Sequence, residues 1–213
     1  MFSFLFFANA YNLIDGIDGL AGSVGAMMSL VFGLFFVVFG DFQAAIISFV
    51  LLSSLLGFLK HNLSKTRKIF MGDSGSLFVG FLLMLQAIYF LKLDFSTQAA
   101  FLPNKLIFVY ALFAFPILDT VRVFVLRIAN GRSPFSADRN HLHHKLLDLG
   151  LSHKKSSAVI VISNITLVVI TLLLFKLNVN IQLLIALPLS IVLFYFPFLI
   201  KNKSRVTRTK SIS

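Results

Sequence analysis

The stretch Asn9–Gly22, NAYNLIDGIDGLAG, sets two asparagines and two aspartates between apolar runs. Asp15 and Asp18 lie three positions apart, and each is followed by glycine. On a helix that spacing would put both carboxylates on one face. The glycines would let a backbone or a phosphate come close. A solvated loop made of two Asp-Gly turns is the plain alternative. The chain around the stretch gives it weight. Of 213 residues, 58% are hydrophobic and 13% charged, with 26 phenylalanines and a mean hydropathy of +0.92. A soluble domain of this length must be wetted and could not be so apolar. The chain therefore reads as an integral membrane protein, in which ionisable groups are costly and become functional candidates.

Working outward, Met1–Phe7 is apolar but far short of the ~20 residues that cross a bilayer. It also lacks the basic start and cleavage-like site of a signal peptide. Six runs of spanning character follow: Leu20–Gly40, Ala44–Leu59, Leu77–Leu91, Leu106–Leu126, Val159–Phe175 and Ile181–Ile200. Small residues at Gly22, Ser23, Gly25 and Ala26 suit close helix packing. The expected fold is thus all-α, with about six transmembrane helices forming a single domain over residues 1–200. The basic segment 201–213 reads as a disordered tail. There is no cysteine, hence no disulfide framework and no thiol chemistry.

The net charge of +11 could suggest nucleic acid, but its distribution argues otherwise. With both termini on one side, every lysine and arginine except Lys92, Lys105 and Lys176 falls on that side. Such an asymmetry marks the cytoplasmic face, so the charge is topological and no nucleic-acid partner is expected. The chain has no glutamate, and of its eight aspartates only Asp41 and Asp94 fall on the opposite face. Carboxylates, histidines and cations from distant loops are thereby expected at one membrane surface, suited to an anionic substrate. Asp119 is expected to pair with Arg122, one turn away in the fourth run, or to cap an interface.

Two further motifs stand on that face. In Ile69–Leu77, IFMGDSGSL, Asp73 sits between glycines and hydroxyls just before a span. Backbone N–H groups at a helix start favour anions, and a carboxylate offers hard ligation to Mg²⁺, with Mn²⁺ as an alternative. An Asp/Ser helix cap is the simpler reading. In Ser133–Leu146, SPFSADRNHLHHKL, the imidazoles of His141, His143 and His144 gather beside Arg139 and Lys145. They could bind a pyrophosphate or move protons. Zinc is the competing ligand, disfavoured by the missing cysteine and the hard aspartates elsewhere. A basic loop lying on anionic lipid is the bland reading.

Taken in order, NAYNLIDGIDGLAG, IFMGDSGSLFVGF and DRNHLHHKL resemble the polyprenyl-phosphate N-acetylhexosamine-1-phosphate transferases. The likeness runs from about Asn9 to Gly150. The HLHH form is similar to the branch that starts O-antigen, enterobacterial common antigen or teichoic acid synthesis. The resemblance implies transfer of a sugar 1-phosphate, with GlcNAc expected as the sugar, from a UDP-N-acetylhexosamine to a polyprenyl phosphate in the bilayer, releasing UMP. It implies a bacterial cytoplasmic membrane location with the active face cytoplasmic. It places Mg²⁺ on Asp73 and the uracil against Phe70. Asn9, Asn12, Asp15 and Asp18 become groups of the nucleotide site and catalytic centre. His141, His143, His144 and Arg139 are implied to contact the donor's phosphates or sugar. Asn62 matches an asparagine upstream of the metal motif, although its spacing is one residue longer.

The chain departs from the family at one point. Members carry several earlier helices and a loop with adjacent aspartates, whereas no two acidic residues are adjacent here. The expectation is a C-terminal portion of the family fold, completed by missing N-terminal helices or a partner chain, or assembled as a homodimer. An inactive or split form that binds nucleotide-sugar or assists assembly is the alternative function.

Overall fold

The computed structural model describes residues 2–93, 104–133 and 140–200. Among them are eight helices: α1 (Phe2–Leu13), α2 (Leu20–Val38), α3 (Phe42–Asn62), α4 (Gly72–Lys92), α5 (Lys105–Ala129), α6 (Leu142–Asp148), α7 (His153–Leu173) and α8 (Val179–Leu199). All but α1 and α6 are long and apolar enough to cross a membrane. The chain is a multi-pass all-α membrane protein, as its composition requires. The tail 201–213 lies outside the described residues.

Two local expectations need correction. The apolar start does not stop at Phe7 but continues as α1 through Asn9 and Asn12 to Leu13. Asp15 and Asp18 do not share a helix face, because α1 ends and α2 begins on either side of them. The break has a physical cause. Two Asp-Gly pairs favour turns, and Gly19 adopts a left-handed φ of 81° that a side chain would resist. The spans also run further into the polar motifs than hydropathy shows. Helix α4 starts at Gly72, so Asp73 sits in its first turn, where a carboxylate is favoured by the unpaired N–H groups.

Short connections make successive spans antiparallel, and side-chain contacts confirm which ends meet. The start of α2 meets the end of α3, where Asn62 Oδ1 accepts from Gly19 N at 2.7 Å. The loop before α2 also meets α7, whose Ser157 hydroxyl donates to the Asp18 carbonyl at 2.9 Å. Helix α1 packs on α4 so closely that a side chain at Gly80 would strike Tyr11 and the Ala8 backbone. Its Phe7 also meets Phe113 of α5 edge-on, with centroids 5.1 Å apart. Pro116 interrupts α5 and cannot donate to the carbonyl of Leu112. In lipid such a carbonyl must find another donor. Asn164 of α7, fully buried, supplies it at 3.0 Å and locks α5 to α7.

Candidate functional site

At one end of the bundle the break between α1 and α2 forms the centre of a polar cluster. Asn12, in the last turn of α1, accepts a hydrogen bond from the buried hydroxyl of Ser76 in α4. This ties the first motif to the second. Asn62 adds a second tie: besides holding Gly19, its Nδ2 donates to the carbonyl of Ile69 at 2.8 Å. Asn62 is only 5% exposed, and both ends of its amide hold backbone. It acts as a brace between the break and the segment carrying Phe70 and Asp73.

Asp18 and Asp15 lie in different surroundings. The Asp18 carboxylate is 2.8 Å from Lys68 Nζ and 3.1 Å from His153 Nδ1, so side chains from two parts of the chain grip it. Desolvation pushes its pKa up, but the hydrogen bonds from Lys68 and His153 outweigh that and hold it below the usual carboxylate range. Asp15 has no ion-pair partner among the described residues. Burial, then the charges of Asp73 and Asp18, push its pKa up to about 6. Asp73 is exposed at the start of α4, and it too lacks an ion pair among the described residues. Phe70 presents its ring to solvent at 75% exposure, with Lys68 Nζ 5.1 Å from the ring centre.

The third motif closes the site from the other side. His143 is buried, and a Cβ at Gly16 would collide with its Nε2, so this glycine is needed to let the ring approach. Burial, then the neighbouring His144, pushes the His143 pKa down to about 3, leaving it neutral. Neither ring nitrogen of His143 has a hydrogen-bond partner among the described residues. Its ring lies 5.5 Å from that of His141, stacked, and 4.2 Å from that of His144. His141 in turn is held by Asp119 of α5 at 2.8 Å.

Of the residues singled out in the sequence, Asn12, Asp15, Asp18, Asn62, Asp73, His141, His143 and His144 therefore belong to one connected cluster, with Phe70 at its edge. Asn9 stands apart: it is exposed on α1 and donates back to Leu5 O at 2.8 Å. Arg139 lies outside the described residues. The expected Asp119–Arg122 pair is present at 3.3 Å. Sequence spacing shows neither the link from Asp119 to His141 nor the contacts of Lys68, His153 and Ser157 with Asp18. A histidine at the first turn of an apolar span carries no spacing signal that would have exposed its partner.

A divalent cation fits this donor set. Among the described residues no three His, Cys, Asp or Glu side chains are arranged as a metal cluster. Mg²⁺ needs only one or two protein carboxylates and leaves its other positions to phosphates and water. The charge of Asp73 raises the pKa of Asp15, and neither has an ion-pair partner among the described residues, so they are the pair that such an ion would relieve.

Comparison with known proteins matches the sequence to a family. A model of glycosyl transferase family 4 covers residues 1–91. A decaprenyl-phosphate N-acetylglucosaminephosphotransferase of Mycobacterium leprae (strain TN) is 40% identical over 162 residues, which is 69% of this chain and 40% of that protein. By these matches the chain is related to glycosyl transferase family 4. An undecaprenyl-phosphate alpha-N-acetylglucosaminyl 1-phosphate transferase of Escherichia coli (strain K12) is 27% identical over 203 residues, or 94% of this chain and 54% of that protein. The chain thus spans about half the length of the curated relatives it matches. No solved structure matches it.

Proposed function

We propose that this chain carries the catalytic face of a transferase that moves N-acetylhexosamine 1-phosphate, with GlcNAc 1-phosphate as the first candidate, from its UDP derivative to a membrane polyprenyl phosphate. An oxygen of the lipid phosphate would bond to the sugar-bearing phosphorus, and the bond from that phosphorus to UMP would break. The observation that carries the reading is the convergence of all three motifs on the α1–α2 break, through Asn12–Ser76, Asn62 and the fit of His143 against Gly16. The names of the relatives support the substrate class.

Asp73 and Asp15 would hold Mg²⁺ or Mn²⁺, which when bound neutralises pyrophosphate charge. Phosphoryl transfer depends mostly on positioning and charge stabilisation. The exposed Phe70 ring is the surface available to a uracil, flanked by Lys68. His141 and His144 would address the donor's phosphates, with neutral His143 shaping the floor beneath them. Asp18 serves by holding the break to Lys68 and α7 rather than by touching substrate. The bias of Lys and Arg supports a cytoplasmic active face, and the bacterial relatives support an inner-membrane location. The acceptor reaches the site from the surrounding lipid.

With no two acidic residues adjacent in the sequence, a second reading is a nucleotide-sugar-binding or assembly subunit. The purified chain, given UDP-GlcNAc, polyprenyl phosphate and Mg²⁺, is expected to release UMP, and Asp73→Asn is expected to abolish it. No release from the chain, but retained Mg²⁺-dependent binding of UDP-GlcNAc, would select the second reading.

A further inference from the structure

Asp119 is 2% exposed in the lower half of α5, and each of its carboxylate oxygens has a defined task. Oδ1 accepts from the backbone N–H of Leu142 at 2.9 Å and from Arg122 Nη2 at 3.3 Å. Oδ2 faces Nδ1 of His141 at 2.8 Å. Arg122 extends the arrangement: it donates to the Asn140 carbonyl and lies 3.9 Å over the ring of Phe198 in α8. The carboxylate therefore fixes both the backbone entering α6 and the ring one residue before it.

We propose that Asp119 is a positioning residue for the transfer reaction, setting the tautomer and direction of His141. An ionised carboxylate only accepts, so the atom facing it must carry a proton. The neutral ring is then protonated on Nδ1, and Nε2 is the atom left to address a substrate. Which ring nitrogen is available is set by the bond the other makes. The bidentate arrangement adds a constraint that a simple ion pair would not. With Oδ1 committed to two donors, the group opposite Nδ1 has to be an acceptor.

This proposal rests on the transferase reading of the site, but one of its tests does not. Asp119→Asn is nearly isosteric. Its carbonyl would stay with Leu142 N–H and Arg122, turning its NH₂ toward Nδ1. His141 would then have to move its proton to Nε2. A role in bracing alone survives that change, whereas presentation of a bare Nε2 does not.

The experiment is ¹⁵N-histidine NMR of the chain in nanodiscs, about two units above the ordinary histidine pKa. His141 is assigned among the five histidines with His141→Gln. The wild-type ring is expected to be protonated on Nδ1 and the Asp119→Asn ring on Nε2. UMP release by Asp119→Asn should fall about 100-fold in kcat, with KM for UDP-GlcNAc changed less than about threefold. A wild-type ring protonated on Nε2 overturns the proposal, whether or not the variant folds. So does a tautomer switch that leaves kcat unchanged. If the tautomer switches but wild-type protein releases no UMP, the transferase reading fails while the hold of Asp119 on His141 stands.

Discussion

Asp15 and Asp18 are three residues apart in one break between helices, yet they sit in opposite electrostatic settings. Asp18 is gripped by Lys68 and His153, with Ser157 holding its carbonyl. Asp15 has no ion-pair partner among the described residues, and burial, then the charges of Asp73 and Asp18, raise its pKa to about 6. The same division runs through the whole site. Asn62 and Asp119 have their side-chain polar atoms committed to protein partners and Asp18 has one carboxylate oxygen so held, while Asp15 and Asp73 have no ion-pair partner among the described residues. A chain gains nothing in stability by leaving two carboxylates opposed. The braced half holds the geometry, and the open half is where a cation and an anionic substrate would restore the balance.

The sharpest way to break this comparison is to remove the open carboxylate. Asp73→Asn is expected to reduce UMP release by about 1,000-fold or more. Because Asp73 is exposed, its folding stability should change by no more than about 0.5 kcal/mol. A comparable loss of stability would place Asp73 in the braced half instead. Next in size is Gly16→Ala. The added methyl meets His143, whose ring is enclosed, so overpacking should cost about 1–3 kcal/mol and lower activity with it. Thermal unfolding beside a turnover assay reads both. Asn62→Ala follows: freeing the Gly19 N–H and Ile69 carbonyl should cost about 1–3 kcal/mol, with a rise in KM as the Phe70 segment loosens.

The smallest effects lie in the pH dependence, where the two aspartates should move in opposite directions. Asp15 binds its proton more tightly folded than unfolded, so its contribution to stability falls as pH rises from about 4 through 6. In EDTA, Asp15→Asn should raise the melting temperature at pH 7.5, and the gain should vanish near pH 4. For Asp18 the folded pKa is lowered, so its contribution is present at neutral pH and is lost as pH falls through the carboxylate range. Asp18→Asn should therefore melt lower at pH 7.5, with the difference closing in acid. Both groups are partly solvated, and screening should keep each difference to about 1–3 °C. Shifts of the same sign would contradict the contrast between them.

Much of the fold was legible because a bilayer imposes long apolar runs, and Leu20–Val38 or Val179–Leu199 can be little else. The ends of the spans were harder to read. Hydropathy stops at Leu77, but α4 begins at Gly72 because Asp73 and Ser74 suit a helix N-terminus. The Asn164–Leu112 bond could not be read either, since it depends on which helix lies beside Pro116. The open half of the site was visible in the sequence: charged groups stranded in an apolar chain draw attention to themselves, as Asp15 and Asp73 do. The braced half was only partly visible. The sequence shows Asn62 near the metal motif but not its bonds to Gly19 and Ile69, carries no signal at His153, and links Asp119 by spacing to Arg122 but not to His141. Such partners are chosen by the packing of α5, α6 and α7, which short-range spacing does not encode.

Calorimetric titration of UDP-GlcNAc with Mg²⁺ into wild-type chain, Asp15→Asn, Asp73→Asn and Asp18→Asn tests the division most directly. The account predicts that Asp15→Asn and Asp73→Asn each lose the Mg²⁺-dependent part of donor affinity, while folded Asp18→Asn keeps it within about threefold. Equal loss in Asp18→Asn, or Mg²⁺-dependent binding that survives in Asp15→Asn and Asp73→Asn, would contradict it.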